Sequence, residues 1–353
     1  MPEALCRVEV LKPGAFSTLQ DLGRRGLQHL GVSVSGVMDE VAHRLANAAV
    51  GNPHSMATLE ITLLGPVLRF SSRAVLACCG ADLSPSIDGK ALPQGRAFSV
   101  PAGATLRFGA RRAGVRAYLA VRGGFAVQAV LGSVSTQARA GLGGHAGRPL
   151  ATGDVLELAA PDGSAPRRGA RALRAQQALL DAMADPGPMR VLLGSEWPQF
   201  TPASQARWLG DPWRIGAQSD RMGYRLEGPA LERQVRADML SETVTFGTVQ
   251  VPPDGHPIVL MADRQSTGGY PRIGQVASVD LPRLAQRAPG ETLRFAAIDV
   301  DSAQHLLLAR ARLFAELSPR SSSGPSSGTS TGPSSGTTSA SPPIRRPTRP
   351  EPT

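Results

Sequence analysis

Short apolar runs separated by glycine and proline set the pattern of the chain from residue 1 to residue 318. Runs of strand length that are bounded by turn residues and follow one another closely are typical of β-sandwiches and β-barrels. The pattern therefore predicts a mainly β protein with a few helices. The predicted strands cover residues 59–64, 74–79, 117–121, 155–158, 189–193, 244–251, 258–261 and 293–298.

Three segments place apolar residues at helical spacing instead. Residues 39–50 begin with Asp39, a suitable N-cap, and end before Gly51, a residue type that commonly terminates helices. Residues 172–183 and 302–317 are rich in Ala and Leu, and they predict two further helices. The first of these two lies between Pro- and Gly-containing stretches that indicate a domain boundary. The predicted parts are an N-terminal domain over 1–160, a helical linker over 161–188 and a C-terminal domain over 189–318.

A weak internal repeat indicates that the two predicted domains are related. Residues 31–38 (GVSVSGVM) resemble residues 216–223 (GAQSDRMG), and an Arg-Leu pair follows each stretch. Further on, each half carries an apolar run that leads to a Gly-Gly pair, at residues 123–124 and 268–269. Because the matches occur in the same order, they favour a duplication.

Residues 319–353 differ in composition from the rest of the chain. They consist largely of Ser, Gly, Pro and Thr, with no apolar periodicity. Such a segment buries too little apolar surface to offset the entropy that is lost on ordering. We therefore predict a disordered tail.

The net charge of +10 does not indicate a nucleic-acid-binding protein. The arginines are scattered along the chain, lysine occurs only at Lys12 and Lys90, and aromatic residues make up 4% of the sequence. Nucleic-acid binders cluster their positive charge and add aromatic side chains that stack on bases. No apolar stretch approaches the roughly 20 residues that span a bilayer, and the first residues do not resemble a signal peptide. The sequence thus predicts a cytoplasmic protein with no membrane or nucleic-acid partner.

Several motifs that carry chemistry do not occur. The sequence has no G-x-x-x-x-G-K-[ST] phosphate loop and no C-x-x-C pair, and its histidines are dispersed. Neither lysine has the Met-Lys-Met setting of a biotin attachment site. We therefore expect no Walker-type ATP site, no metal site and no biotin attached to this chain.

The richest candidate stretch is MADRQSTGGYPRIG, residues 261–274, which follows an apolar run. Asp263 and Gln265 alternate with an arginine, so they share one face if the strand continues that far. Glutamine offers a donor and an acceptor that complement an –NH–C(=O)– edge. The pair Gly268-Gly269 leaves room for a ligand against bare backbone. The alternative is a hairpin with incidental polar residues.

Two other stretches concentrate polar residues between apolar elements. In SDRMGYRLEG, Arg221 and Arg225 can bind a carboxylate or phosphate, although a salt-bridged surface turn explains them equally well. In SETVTFGTVQV, Glu242 and Gln250 lie on an otherwise apolar strand, where each needs a partner. A polar face of an edge strand is the alternative there.

These stretches, together with GVSVSGVMDEVAHRLANAAVGN and LAVRGGFAVQAVLGSVSTQARAGLGG, resemble the biotin-dependent carboxyltransferase family. That family includes the allophanate hydrolase subunit 2 proteins, and the chain most resembles the members that form the C subunit of 5-oxoprolinase. The resemblance covers about residues 5–315 and implies two cyclophilin-like β-barrel domains in tandem. One departure is Gln137, where similar sequences have an aromatic residue, which puts a site in the first barrel in doubt.

The resemblance implies one component of an ATP-dependent complex that opens 5-oxoproline (pyroglutamate) to L-glutamate. Its partners would be a small protein like the B subunit of 5-oxoprolinase and a protein like its A subunit. The ATP site then lies in a partner or is shared with one. The alternatives are a biotin-dependent carboxyltransferase subunit of the urea and allophanate pathway, and a non-enzymatic regulatory binder of a kinase-inhibitor partner. The site residues expected are Asp263 and Glu242 as catalytic groups, and Arg221, Arg225, Gln250, Gln265, Thr267, Gly268, Gly269 and Tyr270 for substrate binding.

Overall fold

Two sheets built by the first half of the chain enclose one apolar core. The computed structural model describes residues 6–160, 169–234 and 239–317. One sheet has six strands in the order β11-β1-β4-β9-β6-β7, and the other has five in the order β2-β3-β10-β5-β8. The strands are β1 (Arg7–Lys12), β2 (Phe16–Gln20), β3 (Thr58–Thr62), β4 (Val67–Phe70), β5 (Ala74–Asp82), β6 (Ser86–Ile87), β7 (Lys90–Ala91), β8 (Phe98–Val100), β9 (Thr105–Arg107), β10 (Ala113–Val121) and β11 (Val155–Glu157).

Strand β10 shows how the two faces of the five-stranded sheet are used. Ala117 and Leu119 point into the core between the sheets, whereas Tyr118 and Ala120 point toward the helices on the other face. All four side chains are buried, because a strand alternates its side chains and this sheet is covered on both sides. The helix-covered face therefore offers buried positions where a polar group needs a partner.

Five α-helices accompany the sheets in the described residues. The prediction of a helix that is capped by Asp39 is confirmed, since its carboxylate accepts a hydrogen bond from the Ala42 amide at 2.9 Å and Gly51 ends the helix with a φ of 80°. The first helix packs on β5 and β10, and the second packs on the fifth. The helices are α1 (Glu40–Val50), α2 (Ala170–Met183), α3 (Pro202–Gly210), α4 (Leu281–Ala285) and α5 (Val300–Leu317).

The second half builds one sheet of eight strands and a two-stranded ribbon, β15-β18. The order in the large sheet is β20-β13-β14-β17-β16-β19-β12-β21. Its two end strands are separated by one residue of the chain, so the sheet curls back on itself as a nearly closed barrel. The strands are β12 (Met189–Leu193), β13 (Trp213–Ile215), β14 (Gly223–Glu227), β15 (Glu242–Thr243), β16 (Thr248–Gln250), β17 (Ile258–Leu260), β18 (Thr267–Gly268), β19 (Arg272–Val276), β20 (Thr292–Leu293) and β21 (Phe295–Ala297).

Aromatic side chains form part of the core of this barrel. Trp208 from α3 stacks on Phe295 with ring centroids 4.1 Å apart and lies 5.6 Å from Trp213. All three are essentially inaccessible to solvent. The prediction of a mainly β protein built from barrel domains is confirmed.

The predicted single strand over residues 244–251 is wrong. The chain pairs at β15, turns, and pairs again at β16 with different partners. Gly247 adopts a φ of 89°, and the Thr245 amide donates to the Thr248 hydroxyl at 3.0 Å. Apart from Gly247 the turn consists of Val, Thr and Phe residues, so the apolar run in the sequence hides it.

The predicted domain boundaries at residues 160 and 189 stay a prediction. The strands of the first two sheets end at Glu157, and the first strand of the third begins at Met189. Part of the predicted linker, residues 161–168, and the predicted tail from residue 319 lie outside the described residues. Within the described ranges, none of the helices combines the length and the apolar character that crossing a bilayer requires.

An ion pair between a buried carboxylate and a partly exposed arginine fastens the start of β19 to the segment after β12. The Glu196 carboxylate accepts hydrogen bonds from the Arg272 backbone at 2.9 Å and from its guanidinium at 2.8 Å. Burial alone would raise the pKa of Glu196, but the hydrogen bonds from Arg272 and Ser195 outweigh it and hold the pKa at about 2.

We predict that this ion pair makes the free energy of unfolding decrease as the pH falls below about 4.5. A carboxyl group whose pKa is lowered on folding stabilises the protein fully above its unfolded pKa of 4.5 and loses that effect as the pH falls toward about 2. Glu196→Gln should lower the free energy of unfolding by about 2 kcal/mol near neutral pH and flatten its decline in acid. Urea unfolding across this pH range checks it. The exposed Glu232→Gln is the control, and an unchanged acid profile in Glu196→Gln would contradict the assignment.

Candidate functional site

The loop between β2 and α1 joins the first half of the chain to the second. The Ser33 hydroxyl donates to the Arg264 carbonyl at 3.0 Å, and the Gln28 amide donates to the Val244 carbonyl at 3.4 Å. The Gly36 carbonyl accepts a hydrogen bond from the Arg221 guanidinium at 2.7 Å. The first stretch of the internal repeat thus lies directly against the second.

Arg221 is the centre of this junction. Its Nε donates to Asp263 Oδ2 at 2.8 Å and its Nη2 to Asp263 Oδ1 at 3.0 Å, while Nη1 binds Glu60 Oε1. Glu60 lies on β3 of the first half, and its side chain is fully buried. Burial would lower the pKa of Arg221, but the two carboxylates raise it above its usual value. The guanidinium is therefore a permanent positive charge between two halves of the fold.

A second buried arginine completes the neutralisation of Glu60. The other carboxylate oxygen of Glu60 accepts a hydrogen bond from the Tyr118 hydroxyl at 2.8 Å. Arg116 Nε lies 3.9 Å from Glu60 Oε1, and its Nη1 donates to the Tyr224 hydroxyl on β14 at 2.6 Å. The charges of this network therefore balance. Each half contributes one carboxylate and one guanidinium: Glu60 and Arg116 from the first half, Asp263 and Arg221 from the second.

Glu60, Arg116 and Tyr118 are not among the residues expected from sequence. The signal for Glu60 is a single carboxylate between Leu59 and Ile61 in an otherwise apolar strand. That pattern is the one that marks Glu242, because burying a charge is unfavourable unless a partner neutralises it. The sequence does not show which distant residue supplies the partner.

Gln286, which follows α4, forms another connection between the halves. Its amide nitrogen donates to Asp39 Oδ2 at 2.7 Å and to the Arg116 carbonyl at 2.9 Å, and its oxygen accepts from the Val115 and Arg116 amides. A Cβ at Gly114 would lie 2.6 Å from that oxygen, so the close approach requires glycine. Burial raises the pKa of Asp39 to about 6 against the hydrogen bonds from Gln286 and Ala42.

Two neighbouring cavities, the junction cavities, open beside Asp263. The larger, of about 330 Å³, is lined by Arg116, Asp220 and Arg221, and the smaller, of about 290 Å³, by Gln137, Arg264 and Gln265. Both are also bordered by Arg139, Met222 and Asp263.

Asp263 and Gln265 border the same cavity, although β17 ends at Leu260 and strand alternation does not extend to them. Gln265 is exposed, and Asp263 is buried with both oxygens on Arg221. Gln137 faces the same space, so the position that departs from similar sequences shapes this cavity. Arg139 is only loosely held, with Nη2 3.8 Å from Asp220 and most of its side chain in solvent.

A second group of expected residues lies on the β15–β18 ribbon. Glu242 pairs with Gly268 across the ribbon and is exposed, and its carboxylate contacts the Arg272 guanidinium at 2.7 Å. Gln250 is buried and donates to the Tyr270 carbonyl at 3.2 Å. The space beside Gly268 is occupied by the Gln250 amide, which lies 2.5 Å from where a Cβ would stand. Thr267 is exposed on the same ribbon.

The remaining residues face elsewhere. Gly269 and Tyr270 border a cavity of about 540 Å³ next to Pro252. Arg225 is exposed and borders a cavity of about 520 Å³ with Asp254. Thus the structure keeps Asp263, Gln265 and Arg221 together and separates them from the ribbon residues and from Arg225. Across the described ranges, His, Cys, Asp and Glu side chains form no group of three or more that is arranged to hold a metal ion.

Comparison with known proteins defines the class to which this fold and junction belong. The family model described as carboxyltransferase domain, subdomain A and B, matches residues 30–297. The chain belongs to this family, and the family prediction is confirmed.

Two relatives are similar to this chain over nearly their whole length, and a third, larger protein is similar over part of its length. The C subunit of 5-oxoprolinase from Escherichia coli is 37% identical over 313 residues, which cover 89% of this chain and 98% of that protein. The C subunit of the Haemophilus influenzae enzyme is 37% identical over 303 residues, 85% of this chain and 94% of that protein. The crystal structure of Kluyveromyces lactis urea carboxylase superposes with a TM-score of 0.81 at 29% identity, over 90% of this chain and 30% of that one.

We predict very different roles for the two arginines of SDRMGYRLEG. Arg221→Met leaves Asp263 without its ion-pair partner and Glu60 with only Arg116 and Tyr118, and it should lower the free energy of unfolding by about 3–5 kcal/mol. Arg225→Gln, on an exposed position of β14, should change it by less than about 1 kcal/mol. Urea unfolding near neutral pH measures both, and equal losses would show that Arg221 does not hold the halves together.

Proposed function

We propose that the chain is the C subunit of an ATP-dependent 5-oxoprolinase that opens 5-oxoproline to L-glutamate. The observation that carries the proposal is 37% identity over 94% and 98% of the length of two proteins that are each named as the C subunit of 5-oxoprolinase. The smaller junction cavity supports it, because its groups suit a small lactam that bears a carboxylate.

The lactam ring presents an –NH–C(=O)– edge, and its substituent is an anion at neutral pH. Gln265 is exposed at the cavity and can donate to the ring carbonyl. Each oxygen of Asp263 accepts a single hydrogen bond from Arg221, so a lone pair remains for the ring N–H. Arg139, with its weak contact to Asp220, is available for the carboxylate.

Ring opening adds water across the C–N bond, so the carbonyl carbon becomes a carboxylate and the nitrogen becomes the amine of glutamate. Asp263 is the acid–base group of this proposal because it lies beside the ring nitrogen in that arrangement. Arg221 positions it from behind through both of its oxygens. Hydrolysis of ATP drives the step in the assembled complex, in which the partners are proteins of the A and B types.

The first test reconstitutes the complex. The full chain is mixed with the A-type and B-type proteins of the same organism, ATP and 5-oxoproline, and glutamate is measured with each component omitted in turn. We expect glutamate only from the complete mixture. Glutamate formed without this chain would overturn the proposal, and co-elution with a partner without any glutamate would indicate the regulatory binder.

A second test locates the site. Gln265→Ala should lower kcat/KM for 5-oxoproline by about tenfold or more, because the lactam carbonyl of the substrate loses the hydrogen bond that Gln265 donates. Gln218→Ala, a matched exposed glutamine beside the Arg225 cavity, should leave it unchanged. Glu242→Gln tests the ribbon, and a loss there with normal Gln265→Ala kinetics would move the site to β15 and β18.

Carboxyl transfer from a biotinyl protein is the second candidate function. The superposition on Kluyveromyces lactis urea carboxylase, with a TM-score of 0.81, favours it. Urea and the biotin ring carry the same amide edge as the lactam, so the junction cavity suits them as well. Product formation that requires a biotinyl protein and stops with avidin would favour this function over lactam opening.

A further inference from the structure

A cavity of about 540 Å³, which Arg264 also borders, is lined by residues of the β2–α1 loop and of the second barrel. Three guanidiniums border it, from Arg25, Arg264 and Arg310. We call it the arginine cavity. Its first lining residues come from the first half of the chain and its last from helix α5, so it exists only when the halves are docked.

Arg264 is buried, with 6% of the residue exposed to solvent. In the described part of the chain its guanidinium donates to the Val244 carbonyl at 3.3 Å and to the Met261 carbonyl at 3.4 Å. Among the described residues no carboxylate lies within ion-pair distance of it, since Asp263 turns both oxygens to Arg221. Burial, and then the neighbouring charge of Arg25, lower the pKa of Arg264 to about 10.

The other charges at the cavity do not neutralise Arg264. Arg25 is exposed at the rim, and Arg310 donates to the Ser278 carbonyl at 3.0 Å. The carboxylate that borders the cavity is Glu40, which contacts Arg44 at 2.7 Å and lies 3.8 Å from Arg310. Glu40 is therefore shared between Arg310 and Arg44, and the groups that border the cavity carry a net positive charge.

Ser35 gives an independent sign of a ligand. It borders the same cavity, it is 6% exposed, and its hydroxyl has no hydrogen-bond partner among the described residues. Its φ of 53° lies in the left-handed region, which is unfavourable for residues with a Cβ and often marks functional sites. A buried hydroxyl without a partner is destabilising unless a ligand supplies one.

We propose that the arginine cavity binds a phosphate-bearing anion, with Arg25, Arg264 and Arg310 facing its charge and the Ser35 hydroxyl donating to one oxygen. A phosphate group offers three acceptor oxygens and up to two charges, which match several guanidiniums around one centre. A carboxylate has two oxygens and one charge. This site is additional to the lactam-binding cavity, and its test does not depend on lactam opening.

The test measures binding to the full-length chain alone. Sodium phosphate, pyrophosphate and ATP are titrated by calorimetry and by the shift in Tm, with sodium chloride at matched ionic strength as the baseline. We expect pyrophosphate and ATP to raise Tm above that baseline. Arg25→Gln should weaken their binding by about tenfold, whereas Arg96→Gln, an exposed arginine of the first half, should not.

Ser35→Ala separates a ligand-binding role from a structural one. It removes a buried group that has no partner among the described residues, so Tm without ligand should stay the same or rise. Phosphate and pyrophosphate binding should weaken several-fold. A fall in Tm without ligand, combined with unchanged phosphate affinity, would contradict the proposed role of the hydroxyl.

The remaining outcomes are also decisive. Equal affinity for pyrophosphate and for the triphosphate of ATP would show that the phosphates alone are recognised, and tighter ATP binding would identify a nucleotide as the source. The proposal is overturned if no phosphate compound raises Tm above the chloride baseline, or if Arg96→Gln loses as much affinity as Arg25→Gln. Succinate binding as tightly as pyrophosphate, with the same dependence on Arg25, would overturn the phosphate assignment.

Discussion

The two halves of this protein are held together by one guanidinium that binds a carboxylate from each half. Arg221 of the second half binds Asp263 beside it and Glu60 from a strand of the first half. Arg116 adds the second positive charge, and through Tyr224 it reaches back to the second half. A buried charge without its partner costs several kcal/mol, so neither half can bury its share of this network alone. Each half therefore contains buried charges that are neutralised only when the other half is docked.

That constraint explains how the polar loop after β17 is used. Its three successive polar residues point in different directions, because β17 ends at Leu260 and strand alternation does not extend into the loop. Asp263 turns inward to Arg221, Gln265 stays exposed at a junction cavity, and Arg264 is buried between both kinds of cavity. Within three residues the loop therefore supplies a carboxylate that neutralises a buried arginine and an amide that is exposed at a cavity.

Local patterns in the sequence were sufficient for some of the elements but not for the site. The helix capped by Asp39 and the strand over Met189–Leu193 follow from residues that lie next to one another. The contact of Arg221 with Glu60 joins positions 161 residues apart, which periodicity and spacing do not register. The expectation that Arg221 binds an anion names the right chemistry, yet the carboxylates around it belong to the protein. Likewise, the room expected beside Gly268 is filled by Gln250.

The charge of Arg264 acts on both the smaller junction cavity and the arginine cavity. Arg264 borders the smaller junction cavity and the arginine cavity, and the charge of Asp263 acts on its ionisation. An anion in the arginine cavity neutralises part of the positive field that Arg264 directs at Asp263. The field at Asp263 then becomes less favourable for a second anion and more favourable for a hydrogen-bond donor in the junction cavity. Since coupling between two binding sites is reciprocal, a ligand at Asp263 must change anion affinity by the same factor. The buried network that docks the halves thus also sets how the two cavities influence each other.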